Sequence, residues 1–191
     1  MSTPAGTGAL LIGCGYLGAV MVRMLSGSAV TALTRGTQRH AALRAAGVQC
    51  LACDLSAPDL DQQLTPALAG FDGVAYVLAP PSAWLDADPR PALQRLTSVL
   101  RTARITRAVL ASSTAVYGDA GGQWVSAASA VRDCDARSHK LLAIEEAWMS
   151  GGLDSYVVRL AGLYGPGRVI GRDTVARGEI LPGDADEWLN L

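Results

Sequence analysis

The sequence predicts an α/β domain built on a doubly wound parallel sheet with helices on both faces. Three observations predict it. Short apolar runs alternate with amphipathic stretches along the chain, and the first run feeds directly into Gly13-Cys14-Gly15-Tyr16-Leu17-Gly18. Half of the 191 residues are hydrophobic, enough to bury the core of one ordinary domain. Strands that alternate with helices pair in parallel through right-handed crossovers, which leaves helices to cover both faces of the sheet.

Ala9 to Ile12 is the first strand, because four consecutive apolar residues suit a strand buried on both sides. After the glycine turn, Val20, Met21, Met24 and Leu25 recur at helical spacing. Ala29 to Leu33 reads as the second strand, Gln38 to Ala46 as a short helix ended by Gly47, and Val48 to Ala52 as the third strand. Pro58 to Leu68 is expected to be helical, Gly73 to Ala79 a fourth strand, Pro91 to Ala103 a longer amphipathic helix, and Thr106 to Ser112 a fifth strand. Gly118 to Asp135 is rich in Gly, Ala and Ser and has no period, so it reads as a loop before a helix from Arg137 to Met149. Ser155 to Leu160 completes six strands.

The glycine segment carries the first chemical inference. Gly13 permits the tight turn, Gly15 lets a diphosphate approach the backbone, and Gly18 lets the helix pack closely on the strand. Free amides through Tyr16 and Leu17, at the positive end of the helix, then face the phosphates. The reading is therefore a Rossmann fold that binds a dinucleotide, since a scaffold without a ligand leaves the three glycines unexplained together. NAD is usually held by an acidic side chain at the end of the second strand, where this chain has Thr34-Arg35. The planar fork of Arg35 suits a 2′-phosphate, so NADP is expected ahead of NAD. The alternative for Arg35 is a solvated loop arginine, as expected for Arg39 and Arg44. Asp54 is expected either to accept from the adenine amino group or to cap the next helical turn.

Composition excludes several classes. A net charge of −1 with scattered basic residues gives no reason to expect nucleic acid or an anionic membrane as partner. No apolar run is long enough to span a bilayer, and Met1-Ser2-Thr3-Pro4 lacks the start of a signal peptide, so a cytoplasmic protein is expected. Cysteines stand at 14, 50, 53 and 134; the single Cys50-Leu51-Ala52-Cys53 pair, with only His40 and His139 elsewhere, does not make a zinc site. No metal is expected.

Ala111-Ser112-Ser113-Thr114-Ala115-Val116-Tyr117-Gly118 resembles the S-S-x-x-V-Y-G signature of the extended short-chain dehydrogenase/reductases, the sugar-nucleotide epimerases and dehydratases. The glycine loop, Asp54-Leu55 at the adenine contact, Ala75-Tyr76-Val77-Leu78-Ala79 in the fourth strand, and the R-x-x-x-x-Y-G-P-G pattern from Arg159 to Gly167 match that family in order. The resemblance covers nearly the whole chain. It implies that the nicotinamide half of the cofactor lies near Ala79, Ser112 and Leu163, and that Ser113 orients the substrate. It also implies that Lys140, the only lysine, binds the nicotinamide ribose. The alternatives are a strand-end hydrogen bond for Ser113 and an ordinary exposed helix start for Lys140. Tyr117 matches a signature tyrosine that usually packs, so structure comes before catalysis for it.

One departure matters. Members of the family transfer a proton through a tyrosine four residues before the lysine, and here that position is Ala136. The chain therefore resembles an atypical branch, in which His139, Asp135, Tyr117 or Tyr164 would have to serve as the acid or base. Two functions follow. One is an NAD(P)-binding oxidoreductase or epimerase/dehydratase-like enzyme acting on a nucleotide sugar or a small carbonyl or alcohol. The other, motivated by Ala136, is a non-catalytic NAD(P)-responsive binding or regulatory module. Residues 1–161 are expected to form the dinucleotide domain and 162–191 the start of a small, incomplete substrate lobe. The helices Pro91 to Ala103 and Arg137 to Met149 match the pair through which family members form homodimers, although their apolar faces serve equally to cover the sheet.

Overall fold

The computed structural model describes residues 8–78, 88–105, 107–131, 135–169 and 176–178. Among these, six strands form one parallel sheet: β1 (Gly8–Ile12), β2 (Val30–Thr34), β3 (Gln49–Ala52), β4 (Gly73–Val77), β5 (Arg107–Ser113) and β6 (Asp154–Leu160). Their spatial order is β3-β2-β1-β4-β5-β6. The connecting helices are α1 (Tyr16–Met24), α2 (His40–Ala45), α3 (Leu60–Ala67), α4 (Arg90–Thr102) and α5 (Ala136–Met149). The direction of winding reverses between β1 and β4, and in open parallel sheets ligands bind in the crevice that this reversal opens at the carboxyl ends of the strands.

The leucine spacing explains how the helices attach. Leu60, Leu64 and Leu68 at the α3 end, Leu93, Leu96 and Leu100 on α4, and Ile144 and Trp148 on α5 recur three or four residues apart. All are buried against Leu10, Ile12, Ala75, Val77 and Leu110 on one sheet face. Each such side chain contributes about 1.5–3 kcal/mol by leaving water. Val22 of α1 and Leu43 of α2 cover the opposite face over Leu11, Ala32 and Val48. On that face the register row Ala32, Leu11, Tyr76, Val109, Tyr156 runs across the sheet. It is buried at Ala32 and Leu11, half-buried at Tyr76 and Val109, and 62% exposed at Tyr156. Helices thus lie on both faces, but α1 and α2 reach only across the first half of the sheet.

Several boundaries differ from the periodicity. α2 starts at His40 rather than Gln38, because the His40 amide closes a turn onto the Thr37 carbonyl at 2.9 Å. Between β5 and the predicted loop, Thr114–Tyr117 forms one turn of 3₁₀ helix, capped by Ser113 Oγ accepting from the Ala115 amide at 3.2 Å. β4 ends at Val77, and Ala79, expected at the cofactor, lies outside the described residues, as does Cys134. Gly8 and Gly73 face each other in register, and a Cβ on Gly73 would collide with the Gly8 carbonyl, so this strand pair admits no side chain there. Among the described residues no helix is long and apolar enough to cross a membrane.

Candidate functional site

β1 ends in a left-handed residue, Gly13, with φ of +87°, which lets the chain turn straight into α1. Gly15 is the N-cap and has no side-chain capping bond, and α1 has no acidic residue in its first turn. The first helical amides at Tyr16 and Leu17 are therefore without an intrahelical acceptor and face the positive end of the dipole. A Cβ on Gly15 would meet nothing within 4 Å, so the space over the loop is open. One on Gly18 would come within 3.1 Å of the Gly13 carbonyl and 3.2 Å of Leu78 Cδ1, so Gly18 sets how closely the helix lies on the sheet. Open space, unpaired amides and the absence of a carboxylate together fit a dinucleotide diphosphate.

The loop after β2 is tied down on both sides. Thr34 Oγ1 donates to the Gly36 carbonyl at 2.7 Å and lies 2.7 Å from His40 Nε2, with His40 buried at 4% exposure. Arg35 is exposed at the strand end. Arg39 is exposed, as expected, and in addition its Nη1 donates to the Cys14 carbonyl at 3.1 Å, bridging this loop to the glycine loop. Sequence reasoning missed it because the two residues are 25 positions apart, and only the β1–β2 pairing brings them together. The signal available was a second arginine four residues after Arg35. Cys14 and Cys53 are buried, and burial pushes both thiols above their ordinary range. Among the described residues no cluster of three or more His, Cys, Asp or Glu is placed to hold a metal.

Asp54 accepts from the Ser56 amide at 2.9 Å, the local turn bond that competed with an adenine contact. The Leu55 side chain is buried in the core. Ser113 is half-buried and caps the 3₁₀ turn, and Tyr117 is buried beside Val116 and Leu141. Asp135 caps α5 by accepting from the Ser138 amide at 2.8 Å, a bond that holds its carboxyl below the usual range. Ser138 in turn donates to the Ala115 carbonyl at 3.1 Å, so the first turn of α5, with half-buried Lys140 just beyond it, is fastened to the 3₁₀ turn carrying Tyr117.

Beneath these residues lies a buried polar cluster that sequence reasoning did not find. Glu145, 7% exposed, accepts from Ser112 Oγ at 2.5 Å and from Arg159 Nη2 at 2.7 Å and Nε at 3.1 Å. The same guanidinium donates to the Tyr117 hydroxyl at 3.0 Å and sits 4.9 Å from its ring centroid. These bonds raise the Arg159 pKa still further, chiefly through Glu145, so the guanidinium stays charged. The legible signal was a charge on each buried stripe: Glu145 lies between Leu141 and Trp148 on α5, and Arg159 follows Val157 on the core side of β6. Near the end of the described chain, Gly165 and Arg168 exchange backbone hydrogen bonds at 2.9 Å in a tight turn. That turn rests on the glycine loop: a Cβ on Gly165 would strike the Tyr16 hydroxyl, and the Arg168 guanidinium lies 5.5 Å from the Tyr16 ring centroid.

Residues 13–184 match the protein family described as NAD(P)H-binding. Protein YeeZ of Escherichia coli strain K12 is 33% identical over 194 residues, spanning 95% of this chain and 66% of YeeZ. A candidate NAD-dependent epimerase/dehydratase from Methylobacillus flagellatus superposes with a TM-score of 0.70 at 27% identity, over 85% of this chain and 56% of that one. MoeE5, solved in complex with UDP-glucose and NAD, superposes with a TM-score of 0.67 at 26% identity, over 90% of this chain and 62% of that one. The chain thus spans between 56% and 66% of the length of these proteins.

Proposed function

The chain belongs to the NAD(P)H-binding family, an atypical group close to the short-chain dehydrogenase/reductases, and we propose that it serves an oxidoreductase or epimerase/dehydratase-like reaction with NADP ahead of NAD. The observation that carries the preference is the pair of arginines at the end of β2: Arg35 exposed at the strand terminus, and Arg39 fixed to the glycine loop through the Cys14 carbonyl. Two guanidiniums and no carboxylate at this place favour a 2′-phosphate and offer a ribose diol no acceptor.

When bound, the nicotinamide supplies a hydride donor or acceptor. The amides of Gly15, Tyr16 and Leu17 hold the diphosphate, with Gly13 and Gly18 shaping the loop. Lys140 holds the nicotinamide ribose, and the Ser113 hydroxyl, which caps the 3₁₀ turn as an acceptor, has its proton to donate to a substrate oxygen. Tyr117 positions this wall, since it is buried beside Val116 and Leu141 and Arg159 holds its hydroxyl. A nucleotide sugar or a small carbonyl compound fits the proposal as substrate, with residues 162–191 contributing the beginning of its lobe. Titration of the purified chain with NADP and NAD tests the cofactor reading; tighter binding of NAD, or of neither, refutes it.

A second reading rests on Ala136. This residue has no proton to exchange, and the adjacent Asp135 carboxyl is engaged in capping α5, so a cofactor-responsive module without turnover is the rival. A survey of NADPH oxidation against carbonyl and nucleotide-sugar substrates separates them: turnover supports the enzyme, and tight binding with no turnover supports the module.

A further inference from the structure

Half-buried Thr34 at the end of β2 and buried His40 at the start of α2 form a hydrogen-bonded pair that shapes the segment carrying both arginines. The Thr34 hydroxyl has one proton, and it goes to the Gly36 carbonyl at 2.7 Å. Its contact with His40 at 2.7 Å must then run the other way, with His40 Nε2–H as donor and Thr34 Oγ1 as acceptor. His40 is 4% exposed, an unusual place for an imidazole that merely begins a helix, and its own amide closes the loop onto the Thr37 carbonyl. The loop is thereby pinned at its first residue, its middle and its last. At Gly36 a Cβ would meet only the end of the exposed Gln38 side chain, which packs back over the loop. Arg35 directly follows one half of the pair, and Arg39 directly precedes the other.

We propose that Thr34 and His40 form a latch that sets cofactor choice, holding Arg35 and Arg39 at the spacing that receives the 2′-phosphate. Neither latch residue touches the phosphate; both are positioning residues. The inference rests on the preference for NADP argued above. An unlatched loop lets the backbone that carries Arg35 and Arg39 move, and the ordering cost then falls on the binding step. NAD lacks the 2′-phosphate and is held by the amides of α1, so its affinity does not depend on the latch.

The test is calorimetric titration of the full 191-residue chain with NADP and, separately, NAD. Thr34→Val preserves shape and removes the hydroxyl; Thr34→Ser retains it. His40→Phe removes the ring donor without leaving it buried and unpaired, and so stands in should Thr34→Val fail to fold. In Thr34→Val and His40→Phe the ratio of NADP to NAD affinity is expected to fall about tenfold, the scale of one charge-assisted interaction, with NAD affinity within about twofold of the parent. Thr34→Ser is expected to keep the parent ratio. A parent chain that favours NADP and folded latch variants that keep the ratio overturn the latch alone. A parent chain without NADP preference overturns the cofactor reading and the latch together, and equal loss of both cofactors overturns the latch as a determinant of choice.

Discussion

Replacing Arg159 with methionine tests the cluster under the site most directly. The substitution keeps an unbranched apolar stem and removes four donor contacts, three to the Glu145 carboxylate at 2.7, 3.1 and 3.2 Å and one to the Tyr117 hydroxyl at 3.0 Å. Glu145 then carries its charge at 7% exposure with only the Ser112 hydroxyl as partner. Breaking a buried pair from one side costs about 3–5 kcal/mol. The Arg159 side chain is 22% exposed, so water enters the vacated space and the lower figure, about 3 kcal/mol, is expected here. For a chain of this size each kcal/mol moves Tm by roughly 2–4 °C, so the melt should fall by roughly 6–12 °C. Calorimetry or a circular-dichroism melt reads it. Removing both charges in Glu145→Leu/Arg159→Met should recover most of the loss, since the penalty comes from the stranded carboxylate. An Arg159→Met chain that melts within 2 °C of the parent, or a double variant less stable than the single, refutes the reasoning.

Gly15→Ala should leave Tm unchanged, because a Cβ there meets open space, while lowering NADP affinity by about tenfold or more in a fluorescence titration. Gly73→Ala should do the reverse in kind, weakening the fold in urea through its collision with the Gly8 carbonyl. Leu96→Ala, at a fully buried α4 position, should cost about 2–5 kcal/mol by urea unfolding. The lowered pKa of Asp135 makes its cap a pH-dependent one: its stabilisation is complete above the unfolded carboxyl pKa near 4 and is lost as pH falls through the lower folded value. Asp135→Asn should therefore flatten the acid side of the stability curve between about pH 5 and 2. Cys14 and Cys53 should resist a thiol reagent at pH 8 until denaturant is added, as mass spectrometry of the labelled chain would show.

Element type and order were legible because a parallel strand buried on both faces needs an unbroken apolar run, which β1 supplies from Ala9 to Ile12, while the short, largely apolar β2 and β4 are set off by turns and helical stretches. The glycine loop was legible for the same local reason, since turn, approach and packing act within six residues. What lay beyond local pattern was less so. The Arg39 bond was not legible because its acceptor belongs to another loop, and the Glu145–Arg159 pair was not because neither residue shows its partner in its own helix or strand. The half-covered sheet face was also illegible, because Tyr156 and Val158 carry the same apolar alternation as strands that are covered, yet are 62% and 45% exposed.

The contact between Tyr16 and the Gly165 turn joins points almost 150 positions apart, and so dates the nucleotide pocket within the life of the chain. A nascent polypeptide that has emerged as far as β2 already owns every amide of the phosphate grip, but the wall against which Tyr16 leans is not yet synthesised. Contacts so remote in sequence are the costly ones to close, and they form after the local βα units have gathered. The Gly165 turn thus reaches Tyr16 only after all six strands have been synthesised.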